Sequence, residues 1–170
     1  MSKIIVQKTV LLDLEFVLAA EAHPDNKKFI QQWSKDQHME ALSSVTSEHF
    51  LLTDNNKAVG FFIMQDLDKP SFQLRRLVVT KKGNGYGRQA LRWIKDWSFI
   101  KRSAQHLWLD VLPYNVVARA LYKSEGFIEE ATPSTCRAIQ SSSNLSNPEG
   151  IQAIVMSISK TDYLAHNLQP

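Results

Sequence analysis

The sequence predicts an α/β domain: a mixed central β-sheet with helices on both faces. Short apolar runs of strand character alternate along the chain with segments whose apolar residues recur at helical spacing. Two of the helical segments, late in the chain, have the length of crossovers between strands, the connection that parallel pairs require. No linker is long enough to divide the 170 residues, so a single domain with one sizeable core spans 1–170.

Residues 4–10 read as the first strand. Residues 11–22 are apolar at helical spacing. Pro24, Asp25 and Asn26 break that helix, and 27–33 read as another short one. Ser34 suits the N-cap of a helix over 35–42. Residues 48–53 and 57–65 flank the turn residues Asp54, Asn55 and Asn56 and predict a hairpin. Residues 72–80 form the next strand. A helix over 85–100 puts Leu91, Ile94 and Trp97 or Ser98 on its inner side. Residues 105–111 are a strand, and 113–125 a helix with Gly126 at C′. Residues 127–131 and 151–159 complete the sheet, with 137–140 extending the first of the two. Between them, 141–150 is rich in Ser, Asn and Pro and reads as a connecting loop.

Composition excludes several classes of function. The apolar fraction is 44%, that of an ordinary globular protein. No run of about 18 apolar residues exists, so no membrane span is expected, and residues 1–10 lack the features of a secretory signal. Cys136 is the only cysteine. It excludes an intrachain disulfide and points to a reducing, cytoplasmic setting. Net charge is +3, with no basic stripe interleaved with aromatics, so nucleic acid is not an expected partner. The histidines His23, His38, His49, His106 and His166 are scattered without metal-ligand spacing, so no metal is expected.

The most informative stretch comes directly after the strand over 72–80. Lys81, Lys82, Gly83, Asn84, Gly85, Tyr86, Gly87 and Arg88 run from its end straight into a helix. Glycines let backbone N–H groups crowd toward one point. The helix N-terminus adds unpaired N–H groups and the positive end of a dipole. Together they predict a socket for a phosphate or pyrophosphate. The P-loop frame fails, because Arg88 and Gln89 follow Gly87 where Lys and Ser/Thr are required. The dinucleotide frame fails as well, because Arg88 occupies the place of its third glycine.

Lys82–Gly87 is similar to the Gln/Arg-x-x-Gly-x-Gly/Ala loop of the GNAT superfamily of N-acetyltransferases, with Lys82 in the first place. Downstream, Asn115, Ala118, Leu121, Tyr122, Gly126 and Phe127 stand as in the family's N-x-x-A-x-x-L-Y-x-x-x-G-F pattern. The resemblance is strongest over 61–130. Residues 32–38 also look like a bacterial branch of the family. The resemblance implies the GNAT fold, with a V-shaped splay between parallel strands over 72–79 and 105–111. It also implies acetyl transfer from acetyl-coenzyme A to a primary amine by direct attack in a ternary complex. The acceptor would be a small molecule or a protein amine; neither it nor a homodimer can be read from the sequence.

The resemblance implies a role for each matched residue. Lys82, Gly83, Asn84, Gly85, Tyr86, Gly87 and Arg88 would hold the pyrophosphate of coenzyme A. Backbone groups of Val78 and Val79 would pair with its pantetheine arm, and Asn115 would bond that arm. Tyr122 would protonate the departing sulfur; its ordinary pKa of about 10 keeps the proton available. Asp110 stands where related enzymes of ribosomal-protein N-termini carry a glutamate base. Gln73 cannot accept a proton, a departure from relatives with an acid near there. His38 is a second candidate base, because its ordinary pKa of about 6.5 suits the task. Glu40 and His106 are weaker ones. A non-catalytic acyl-coenzyme A sensor on the same fold is the alternative, and the presence of Tyr122 favours the enzyme.

Overall fold

The computed structural model describes residues 3–130 and 151–167. Cys136, the strand extension at 137–140 and the loop at 141–150 lie outside them. Among the described residues, seven strands form one sheet in the order β1-β2-β3-β4-β5-β7-β6. They are β1 (Ile5–Lys8), β2 (Glu48–Asp54), β3 (Lys57–Gln65), β4 (Ser71–Val79), β5 (His106–Val111), β6 (Ile128–Glu129) and β7 (Ile154–Ser159). Only β4 and β5 run parallel; the other neighbours are antiparallel.

Helices cover both faces. On one, Leu14, Val17 and Ala20 of α1 (Leu14–Ala22) pack on Leu51, Phe61, Ile63 and Val78. On the other, Tyr86, Ala90, Leu91 and Ile94 of α4 (Tyr86–Asp96) pack among Phe62, Leu74, Leu107 and Leu109. A π-helical turn, Trp97–Lys101, ends α4, so the helix expected over 85–100 changes its hydrogen-bond step near its end. Next come α5 (Val116–Ser124) and α6 (Lys160–Asn167). The helix expected from 113 begins three residues later, at Val116, with Asn115 as its N-cap.

The reading of 24–33 is corrected. The break at Pro24 is present, since α1 ends at Ala22, but Pro24 also begins a separate turn, α2 (Pro24–Lys27), with His23 as N-cap accepting from the Asp25 N–H. Proline is well placed at a first helical position, where its missing N–H costs nothing. Residues 28–33, expected as helix, are instead irregular and held from below by side chains. The Glu21 carboxylate accepts from the Trp33 N–H at 2.9 Å, and Arg76 donates to the Gln31 carbonyl at 2.7 Å. The next segment, α3 (Lys35–Ser43), keeps the predicted cap: Ser34 accepts from the Gln37 N–H, and the Gln37 side chain accepts from the Ser34 N–H.

Two irregularities open the sheet and re-aim one of its side chains. First, Ile63 faces Arg76 and Met64 faces Leu74, so Arg75 is the extra residue of a bulge in β4. Strand neighbours ordinarily point to opposite faces. Here Arg75 and Arg76 both lie over the Trp33 ring, at 5.7 and 4.7 Å from its centroid. Second, β4 and β5 pair only at Ser71–His106, Phe72–Leu107 and Gln73–Trp108. Beyond Gln73 and Trp108 the strands part.

Candidate active site

The fork between β4 and β5 opens into a cleft of about 870 Å³. Strand residues 74–79 and 109–111 form two of its walls, α5 a third, and the start of α4 with the preceding loop its outer end. Among the expected site residues, Val78, Val79, Lys82, Gly83, Gly85, Tyr86, Gly87, Arg88, Asp110, Asn115 and Tyr122 line this one cleft. Asn84 does not. It is exposed, and its side chain turns back on the Lys81 and Lys82 carbonyls.

The loop has the backbone its glycines suggest. Gly83 and Gly85 hold φ near +80° and +73°, values that side chains with a Cβ rarely adopt. Gly85 is the N-cap of α4, so the first-turn N–H groups of the helix end at the cleft. Nothing stands within 4 Å of where a Cβ on Gly83 would be, which leaves open space beside the loop. Cations surround that space. Lys82 donates to Asn26 Oδ1 at 2.7 Å, and Asn26 in turn donates to the Ala20 carbonyl. Desolvation lowers the Lys82 pKa, with Asp25 opposing and Lys28 adding to it. Arg88 pairs with Glu125 at 2.8 Å, and Lys95 pairs with the same carboxylate at 3.0 Å. Burial alone would raise the Glu125 pKa, but the bonds from Lys95 and Arg92 hold it below its ordinary value.

Nearer the fork, Asp110 and Tyr122 face the same space. Desolvation pushes the Asp110 pKa up, while Arg75 and a hydrogen bond from Gln73 (3.2 Å) pull the other way. Gln73 therefore holds the carboxylate in place rather than standing in for it. Burial pushes the Tyr122 hydroxyl well above its usual range, and the Asp110 carboxylate adds to the effect. Asn115 uses its Oδ1 to cap the Ala118 N–H at 3.3 Å. This leaves its amide N–H groups to bond a ligand.

His38 is not part of this site. It is fully buried between α3 and the sheet, 3.3 Å from both His49 and Glu21, and it does not line the cleft. The helix carries it inward, packed against Trp33 and Phe61. Its partner His49 is held neutral, pushed down to about 3 by burial, with His38 and Arg76 adding to the effect. His106 opens β5, at the opposite end from Asp110. Glu40 lines a second, polar cavity of about 500 Å³, which His38 does not reach either. Sequence reasoning missed Arg75, Arg76, Glu21 and Asn26. The bulge that re-aims Arg75 is a matter of register between β3 and β4, with no signal in the sequence of either strand.

The profile of the acetyltransferase (GNAT) family matches residues 12–127, and no curated protein matches in sequence. Many solved structures share the fold, including the three that follow. A chimera of the spermidine N-acetyltransferase SpeG from Vibrio cholerae and hSSAT is 18% identical at a TM-score of 0.78, covering 96% of this chain and 99% of its own. The Vibrio cholerae spermidine N-acetyltransferase in complex with CoA and spermine is 18% identical at 0.77, covering 95% and 98%. The ribosomal-protein-S18-alanine N-acetyltransferase from Escherichia coli is 24% identical at 0.69, covering 92% and 93%. With the family profile running from the start of α1 past the end of α5, and the forked cleft in place, the chain belongs to the acetyltransferase (GNAT) family.

Proposed function

We propose that the protein transfers an acetyl group from acetyl-coenzyme A to a primary amine by direct attack in a ternary complex. The observation that carries this reading is the forked cleft, with Asp110 and Tyr122 near the fork and a glycine-rich helix N-terminus at its outer end. The cleft suits the donor part by part. Open space beside Gly83, the α4 N–H groups and the cations Lys81, Lys82 and Arg88 suit a pyrophosphate. Strand edges of β4 and β5 without ladder partners suit an amide-bearing arm. Bound acetyl-coenzyme A supplies the acetyl group as a thioester.

The chain's own residues handle the protons. An amine is a nucleophile only once it has lost a proton, and Asp110 takes that proton directly or through water. Its raised pKa makes it a better acceptor than an ordinary aspartate. Tyr122 keeps its hydroxyl proton at neutral pH and gives it to the departing thiolate. The rest of the cleft holds the two substrates together.

Thiol release from acetyl-coenzyme A over an amine panel tests the reading; binding without release would indicate a sensor. Two variant sets sharpen it. Gly85→Val and Gly87→Val are each expected to weaken acetyl-coenzyme A binding about tenfold or more, the scale of one or two lost charge-assisted hydrogen bonds. At Gly85 the valine meets a positive φ, and at Gly87 its Cβ would stand 3.2 Å from Leu121 Cδ2. Calorimetry with unchanged affinity in both would remove the phosphate-loop assignment. Asp110→Asn is expected to abolish the acidic limb of the pH–rate profile. A base works only when deprotonated, so activity falls as pH drops through its pKa. A raised pKa moves that limb toward neutrality from the ordinary carboxylate range. A limb that persists in the asparagine variant would take the base role from Asp110.

A further inference from the structure

The second cavity has no place yet in the reaction. It lies beside the cleft, under α3 and against β3 and β4, and is lined mostly by uncharged polar groups, Gln37, Ser47, Gln65 and Gln73 among them. Arg75, alone among the described residues, lines both it and the cleft. The bulge in β4 puts it there. Its charge also acts on Asp110, so it stands beside the group that would receive the amine's proton.

Arg75 differs from the other charges around it. Arg76 is matched by buried Glu21 at 2.8 Å, and Asp66 by Lys69 at 2.8 Å. Glu40 is at the exposed rim. Arg75 is half-buried, lies along the Trp33 ring, and has no ion pair with any described carboxylate. A guanidinium in such a position is a ready fork for a planar anion. It also repels any second cation carried by an acceptor whose amine has reached Asp110.

We infer that this polar cavity receives the acceptor, and that Arg75 selects an amine carrying a carboxylate close by, as in an amino acid. The inference rests on the amine-acetylation reading and narrows it to one substrate class. Uncharged amides of the cavity bond the remainder of such a molecule, and the Trp33 ring flanks it. A polyamine, with further positive charges and no anion, fits this arrangement poorly.

The test compares the common amino acids with their carboxamides, their decarboxylated amines and spermidine in a thiol-release assay. The best amino acid is expected to exceed its carboxamide by about 10- to 100-fold in kcat/KM, mostly through KM, the scale of a charge-assisted hydrogen bond. Arg75→Gln is expected to collapse that ratio, and Arg75→Lys to restore part of it. A change acting only through Asp110 would slow both substrates alike and leave the ratio standing. Carboxamides or spermidine equal to the best amino acid, or a ratio that survives Arg75→Gln, overturns the inference while leaving amine acetylation intact. If no amine releases thiol, the functional reading fails separately. Calorimetry of N-acetylated amino acids against their carboxamides, with coenzyme A present, then decides the cavity: preference for the acid, lost in Arg75→Gln, supports the inference, and equal or absent binding overturns it.

Discussion

Replacing Tyr122 with phenylalanine is expected to lower kcat by about 10²–10⁴-fold, the range of general acid catalysis, and to leave acetyl-coenzyme A affinity nearly unchanged. The ring of Tyr122 packs against Phe127, with centroids 5.9 Å apart, and against the core beneath α4. Phenylalanine keeps those contacts. Only the hydroxyl is lost, and no protein group accepts a hydrogen bond from it among the described residues, so neither fold nor cleft has a reason to change. An interaction made only in the transition state lowers kcat and kcat/KM together. The measurement is steady-state thiol release alongside calorimetry of acetyl-coenzyme A. Full turnover in the variant would reduce Tyr122 to a packing residue.

Arg76→Met is expected to cost about 3–5 kcal/mol of stability, the usual result of removing one partner from a buried ion pair. For a domain of this size that lowers Tm by roughly 6–20 °C. Arg76 and Glu21 are 2% and 1% exposed at the side chain, so water cannot replace the lost partner. Burial holds the guanidinium down to about 10, with Glu21 opposing; methionine would match its volume but leave the Glu21 carboxylate buried against His38 and the Trp33 N–H. The bond to the Gln31 carbonyl goes too, releasing the segment that roofs both cavities. The double variant Glu21→Leu with Arg76→Met should regain much of the loss, because two apolar groups leave no charge unmatched. A single variant melting within about 2 °C of the parent, the equivalent of less than about 1 kcal/mol, would show that the pair carries little.

The parts of the site that were legible in the sequence are those whose residues stand close together along the chain. The loop from Lys82 to Gly87 and the helix bearing Asn115 and Tyr122 each carry in one segment the pattern that resembles the family's, so each can be read without knowing the rest of the fold. Asp110 was proposed from its place relative to that helix, which resembles the acidic position of related enzymes, and it lines the same cleft. What escaped depends on contacts between distant segments. The bulge at Arg75 is a mismatch of register between β3 and β4, and neither strand shows it by itself. Residues 28–33 look helical, yet Glu21 and Arg76 take up their backbone groups. His38 has the right chemistry for a base, but the face of α3 it occupies is turned to the sheet. Pro24 ends α1 as expected, and the turn it opens escaped for a local reason: at a first helical position proline starts a helix as readily as it stops one.

The fork that makes the cleft also divides the sheet mechanically. Strands β1 to β4 form one hydrogen-bonded unit and β5 to β7 another, and between them run only three residue pairs, all at one end. Past that hinge, the two units are joined by packing under α4 rather than by backbone bonds. Amides lining the fork have no strand opposite them to supply a carbonyl, so they are among the first expected to exchange their protons with solvent. A molecule bonded to both strands acts as a brace across the gap. The binding site is thus also the seam of the domain, and filling it ties the two halves of the sheet into one cooperative unit.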